Sequence, residues 1–156
     1  ESIRHFTKAS ELAPKQALYY RNLAAMLFAY PDHAARHYLI GRDLVVPKVI
    51  SLFKKARDLD PKNFPLAADA AMAYLATQPL QSMEAIAAWN EALALAPDDR
   101  SKQGVQIHLA RIHAHIGETD KAREILKAVK APKLVVLKDE ILKKLDAPAA
   151  PAPAEP

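Results

Sequence analysis

The stretch FKKARDLDPKNFPLAADAAMAYLATQPLQSMEAIAAWNEALALAP, residues 53–97, decides the fold. Its two ends carry one pattern, Phe53, Ala56, Leu59 and Pro61, then Trp89, Ala92, Leu95 and Pro97. Val49 and Ala85 stand four residues before the two aromatics. Offsets of three and four put these side chains on one face of a helix. The small residue admits a neighbouring helix, the aromatic fills the space beside it, and the proline stops the helix.

The pattern recurs outside this stretch. Phe6, Ala9, Leu12 and Pro14 repeat it, with Ser2 four residues earlier. Tyr38, Gly41, Leu44 and Pro47 form a looser copy, with Ala34 before them. A second pattern alternates with the first: Tyr20, Leu23, Ala24, Leu27; then Ala67, Ala70, Ala71, Tyr74; then Gln106, Leu109, Ala110, His113, with Gly117 following. The chain therefore reads as helix A, short turn, helix B, proline turn, helix A. Alanine and leucine abound, and only Gly41, Gly104 and Gly117 interrupt them, which favours helices throughout.

These residues resemble the tetratricopeptide repeat family. Lys54-Lys55-Ala56-Arg57-Asp58-Leu59-Asp60-Pro61 is similar to the family's helix B ending almost throughout, and Leu109-Ala110, Gly117 and Asp120-Lys121-Ala122 match as well. Pro61 and Pro97 lie 36 residues apart, near the family period of about 34. The resemblance covers residues 1 to about 130 and implies an all-α, right-handed α-solenoid of antiparallel hairpins. Eight or nine helices are expected, including one extra helix and a C-terminal capping helix.

Three departures stand out. Between Tyr30 and Pro47 the chain carries extra residues. The parallel between Tyr38–Leu44 and Phe53–Leu59 favours a short, degenerate helix B over 32–44, followed by an orphan helix B over 48–60. The alternative is an insertion that separates one A from one B. The turn at Gln78–Gln81 is longer than usual, and the last helix A starts late, after Asp98-Asp99-Arg100-Ser101. The first helix looks like the second half of a hairpin, so the repeat domain, residues 1–145, begins mid-repeat. Leu134, Leu137, Ile141 and Leu145 form the apolar stripe of a final, half-polar helix over 133–145, which suits a cap on the last repeat. The alanine- and proline-rich segment 146–156, a composition of bacterial type, is expected to be an extended tail or linker.

The sequence offers no catalytic apparatus. Cysteine is absent, the glycines are isolated, and no serine sits in a Gly-x-Ser-x-Gly elbow. His33 and His37 share a helical face but lack a third ligand nearby, so neither a metal nor any other cofactor is expected. His113 takes a core position and reads as a packed histidine. No apolar run approaches the ~20 residues that span a bilayer. A soluble protein of the cytoplasm or periplasm, or one peripheral to a membrane complex, fits the sequence. The net charge of +4 is modest, with an acidic middle and a basic end from Lys121 to Lys144. No aromatic residue interleaves with those lysines, so nucleic acid would gain only salt-sensitive phosphate contacts.

The resemblance further implies a protein partner, a peptide or an amphipathic helix, lying in a groove lined by the A helices, and no small-molecule substrate. Carried over position by position, the groove residues are Leu18, Arg21, Ala25 and Phe28, then Ala68, Met72 and Leu75, then Ile107 and Arg111, with Ala114 beyond. The lysine and asparagine clamp with which chaperone-binding members grip a terminal carboxylate is replaced by Arg21, Ala25, Ala68, Met72 and Ile107. The chain is expected to be an adaptor, scaffold or assembly subunit. Alternatively, it positions or regulates part of a larger enzyme or cell-envelope protein.

Overall fold

The computed structural model describes residues 2–147. Among these residues the structure is all α-helical, with nine α-helices and one 3₁₀ turn. No helix of the described residues is long and apolar enough to cross a membrane. The helices group into two compact units that meet in sequence between Asp98 and Asp99.

The N-terminal unit contains α1 (Ser2–Leu12), α2 (Ala17–Ala29), α3 (Pro31–Tyr38), a 3₁₀ turn (Arg42–Leu44), α4 (Val45–Leu59), α5 (Phe64–Tyr74) and α6 (Ser82–Leu95). Helices α1, α4 and α6 each end at the leucine of the repeated pattern, two residues before Pro14, Pro61 and Pro97. Proline pushes the residue before it out of the helical region. Asp60 and Ala96 accordingly have ψ of 72° and 123°. Helix α5 starts where Asn63 accepts a hydrogen bond from the Leu66 N–H at 3.0 Å, which satisfies one of the helix's orphan donors. Its Pro65 stands in the first turn, where a missing N–H costs nothing.

Helix α2 packs most extensively along α4 and less along α1, while α3 touches both α2 and α4 only lightly. Tyr20, Leu23, Ala24 and Leu27 of α2 are buried in one cluster with Val45, Val49, Phe53 and Ala56 of α4. This corrects the expected pairing of helices. The B partner of α2 is α4, and α3 with its 3₁₀ turn is an insertion between the two. The physical reason is burial. Helix α3 has eight residues and buries only Ala34, whereas α4 offers four buried side chains. Pro47 does not end a helix here; it stands in the first turn of α4. Helix α3 instead stops at Leu39, which adopts the left-handed conformation with φ 53° while 92% exposed.

Helices α5 and α6 pack along each other as the next hairpin. Their buried residues are mostly alanines, with Leu66 and Trp89 as the large exceptions. Arg57 of α4 reaches Glu91 of α6 at 2.5 Å.

The C-terminal unit contains α7 (Asp99–His115), α8 (Thr119–Lys127) and α9 (Pro132–Asp146). Helix α7 begins at Asp99 rather than after Ser101, and Asp99 suits the positive end of the helix dipole. Gly117, at φ 80°, makes the left-handed turn into α8. In that turn the Glu118 N–H donates to the His113 carbonyl at 2.9 Å, and Glu118 Oε2 lies 2.6 Å from His113 Nδ1. His113 is buried, as expected of a packed histidine.

Helix α9 packs mainly on α7. Its stripe of Leu134, Leu137, Ile141 and Leu145 closes over Ile107, Ala110, Leu126 and Val129. Gln103 Oε1 accepts from the backbone N–H groups of Lys130 and Ala131, both at 2.7 Å, and so anchors the turn into α9. Asp146 belongs to α9 rather than to the expected tail and meets Arg123 at 2.6 Å. The remainder of that segment, 148–156, lies outside the described residues.

Candidate partner-binding surface

Helix α2 turns its buried side towards α4 and leaves Leu18, Ala25 and Phe28 in the open, with Leu18 55% and Phe28 37% exposed. Ala68 and Met72 of α5 are half-buried, as is Leu75 just past its last turn. Arg21 joins the two helices. Its Nε and Nη2 each lie 2.7 Å from Asp69 Oδ2. This ion pair sets the outer lines of α2 and α5 side by side. Leu18, Ala25 and Phe28 stand at helical offsets of three, four and seven from Arg21, and Met72 stands three residues from Asp69.

The pair also changes the electrostatics of that face. In sequence Arg21 stands as a cation among the groove residues. Asp69 already neutralises it. The pair is partly exposed, so it adds no more than about 1 kcal/mol to stability. Its effect is to leave an apolar strip without net charge.

Of the expected residues in the C-terminal unit, Arg111 and Ile107 behave differently from each other. Arg111 is exposed on α7. Ile107 is 2% exposed and sits in the core with Leu126, Val129 and Ile141. Ile107 is therefore removed from the set of groove residues, because α9 occupies the face of α7 on which it lies. The apolar stripe of α9 needs a large apolar host, and Ile107 matches it. That is the signal the sequence carries.

No known family model matches the sequence, and no curated protein matches it. A solved structure does. The crystal structure of a thermophilic TPR protein from Thermus thermophilus superposes with a TM-score of 0.66, over 92% of this chain and 71% of that one. The fold is tetratricopeptide-like. At 21% sequence identity, the likeness speaks for the fold alone. Within a tetratricopeptide-like frame, α2, α5 and α7 are A helices, and α1, α4, α6 and α8 are B helices. The insertion of α3 falls between an A helix and its own B helix.

Among the described residues no cluster of three or more His, Cys, Asp or Glu side chains could hold a metal ion. His33 and His37 both line a cleft beside α1, and His33 Nδ1 lies 3.3 Å from Arg36 Nη2. His108 of α7 is a strongly shifted group. Burial first, then the Arg111 charge, lowers its pKa to about 4.

That shift has a consequence for stability. The folded chain resists protonating His108, whereas the unfolded chain binds the proton near pH 6.5. Above pH 6.5 both states are neutral and nothing is lost. As the pH falls from 6.5 to 4, the unfolded state takes up more protons and stability declines. Denaturant melts at pH 7 and pH 4 should show wild type losing about 2 kcal/mol more than His108→Gln, the full linkage being discounted for partial solvation. Equal losses in the two proteins would refute the assignment.

Proposed function

We propose that this chain is a protein-interaction module and that the α2/α5 face of its N-terminal unit holds an amphipathic helix or peptide of a partner subunit. One observation carries the reading. Leu18, Ala25, Phe28 and Met72 form an apolar strip on paired A helices, and no helix of that unit buries Leu18, Ala25 or Phe28. An apolar strip on an A face suits a helix laid on it by its apolar side. Methionine at position 72 lets such a face adapt to its ligand. Because Asp69 neutralises Arg21, the partner needs no acidic residue opposite that arginine. The role is that of an adaptor, scaffold or assembly subunit without chemistry of its own.

Affinity capture with the wild-type chain and with a Leu18→Glu/Met72→Glu variant tests the reading. Neither side chain is fully buried, so the variant should fold, which circular dichroism checks. The variant is expected to lose the partners that wild type retains, while a Val136→Glu control on the exposed side of α9 keeps them. Identical partners from wild type and double variant would end the proposal.

A further inference from the structure

The insertion that separates α2 from α4 builds something of its own. Between α1, α2 and α3 lies an open cleft of about 350 Å³, lined by Ser2, Ile3, Arg4, Met26, Tyr30, His33 and His37. Tyr30 caps the end of α2, and none of Leu18, Ala25, Phe28, Ala68 and Met72 lines the cleft. The cleft is therefore separate from the α2/α5 face and does not depend on what that face binds.

The chemistry of its walls is one-sided. Arg4 brings a guanidinium, which is charged at any accessible pH. Among the described residues, Arg4 has no ion-pair or hydrogen-bond partner, and neither has His37. No described carboxylate lines the cleft. Asp32, beside it in sequence, is turned to Arg42 at 3.1 Å. The contact between Arg36 and His33 fixes a further detail. A guanidinium can only donate, so His33 Nδ1 accepts, and the ring hydrogen resides on Nε2. His33 thus offers a donor at Nε2, and Tyr30 and Ser2 add hydroxyl groups. Ile3 and Met26 supply the apolar part of the wall. Guanidinium, imidazole and hydroxyl groups, no carboxylate among the described lining residues and an apolar flank match one kind of ligand.

We propose that the α1/α2/α3 cleft binds a carboxylate carried on a short aliphatic stem, with Arg4 as its charge partner, His33 and His37 as flanking donors, and Ile3 and Met26 against the stem. A planar guanidinium takes a carboxylate through two parallel hydrogen bonds, so Arg4 sets the orientation as well as the charge. A regular A–B turn would place neither imidazole here. The site exists because α3 does.

Amide ¹H–¹⁵N spectra of the 156-residue chain, titrated with N-acetylglutamate α-amide, test this. The expected result is saturable shifts centred on Ile3, Arg4, Tyr30, His33 and His37. The glutamine counterpart, which lacks the charge, should bind at least about tenfold more weakly, a difference typical of a lost charge-assisted hydrogen bond. Inorganic phosphate, which lacks the stem, should also bind more weakly. Arg4→Gln should weaken the glutamate probe about tenfold and leave the thermal melt unchanged, because Arg4 is exposed. His37→Gln should weaken it less, and Lys133→Gln on α9 not at all. Shifts centred on the lysines of α9, or equal binding of the glutamate and glutamine probes, would overturn the site. Phosphate binding as tightly as the glutamate probe would overturn the role given to the stem.

Discussion

Trp89→Ala lowers the stability of the N-terminal unit by about 3–5 kcal/mol, as read by denaturant or thermal unfolding. The size of the effect follows from the company Trp89 keeps. It is 2% exposed on α6, and the other buried residues of that helix are Ala85, Ala88 and Ala92. The facing helix α5 buries Leu66 and four alanines. Alanines cannot change rotamer to fill a void, so the space left by an indole stays open and its whole lining loses contacts. A typical domain has only about 5–15 kcal/mol in total. The variant should therefore be close to unfolding at about 37 °C. A loss below about 1 kcal/mol would mean that the layer collapses around the gap, contrary to this account.

Ile107→Asp should have the largest effect of any single change considered, more than about 4 kcal/mol, because it adds an unpaired buried charge to the loss of apolar burial. It also separates two accounts of the same residue. If Ile107 lined an open groove, an aspartate there would meet water and cost little, and the change would register only in partner binding. In the structure it is buried among the apolar side chains of Leu126, Val129 and Ile141, away from water. The expected outcome is loss of helicity and of the cooperative transition of the C-terminal unit. Arg111→Asp, four residues on and exposed, should leave both intact. A folded Ile107→Asp protein would return this residue to the groove.

These two residues also show what sequence can and cannot convey. Trp89 is legible because its neighbours at offsets of three and four are small or apolar, and that local periodicity is the physics of a helical face. The same holds for Phe53, for the helix ends before Pro61 and Pro97, and for the stripe on α9. Ile107 is misplaced by sequence reasoning, because its environment is set by a helix that starts at Pro132, well beyond any local period. Which side of α7 that helix covers depends on the turn at Lys130–Ala131, held by Gln103. Asp69 escapes notice for a similar reason. Its partner is 48 residues away, and only packing of α2 beside α5 brings the two charges together. The pairing of α2 with α4 is obscured because Tyr38, Gly41, Leu44 and Pro47 imitate the B pattern in a segment with too little apolar area to compete. The cleft beside α1 is the least legible feature. Its parts come from three helices, and one of these is the insertion.

The insertion also bears on how repeat chains tolerate change. The A-to-B connection of the last hairpin is three residues, Ile116–Glu118, whereas that between α2 and α4 spans residues 30–44. Closing a loop about five times longer costs only about 1.4 kcal/mol of chain entropy. Burial of Ala34 and the partial burial of Ala35 and Tyr38 against the core offset a cost of that order. A lineage of such proteins could therefore lengthen this one connection, acquire a new helix and keep the hairpin beneath it nearly as stable as before. The elbow between A and B is then a place where new side chains can be tried at low thermodynamic risk, while the packed faces on either side stay fixed.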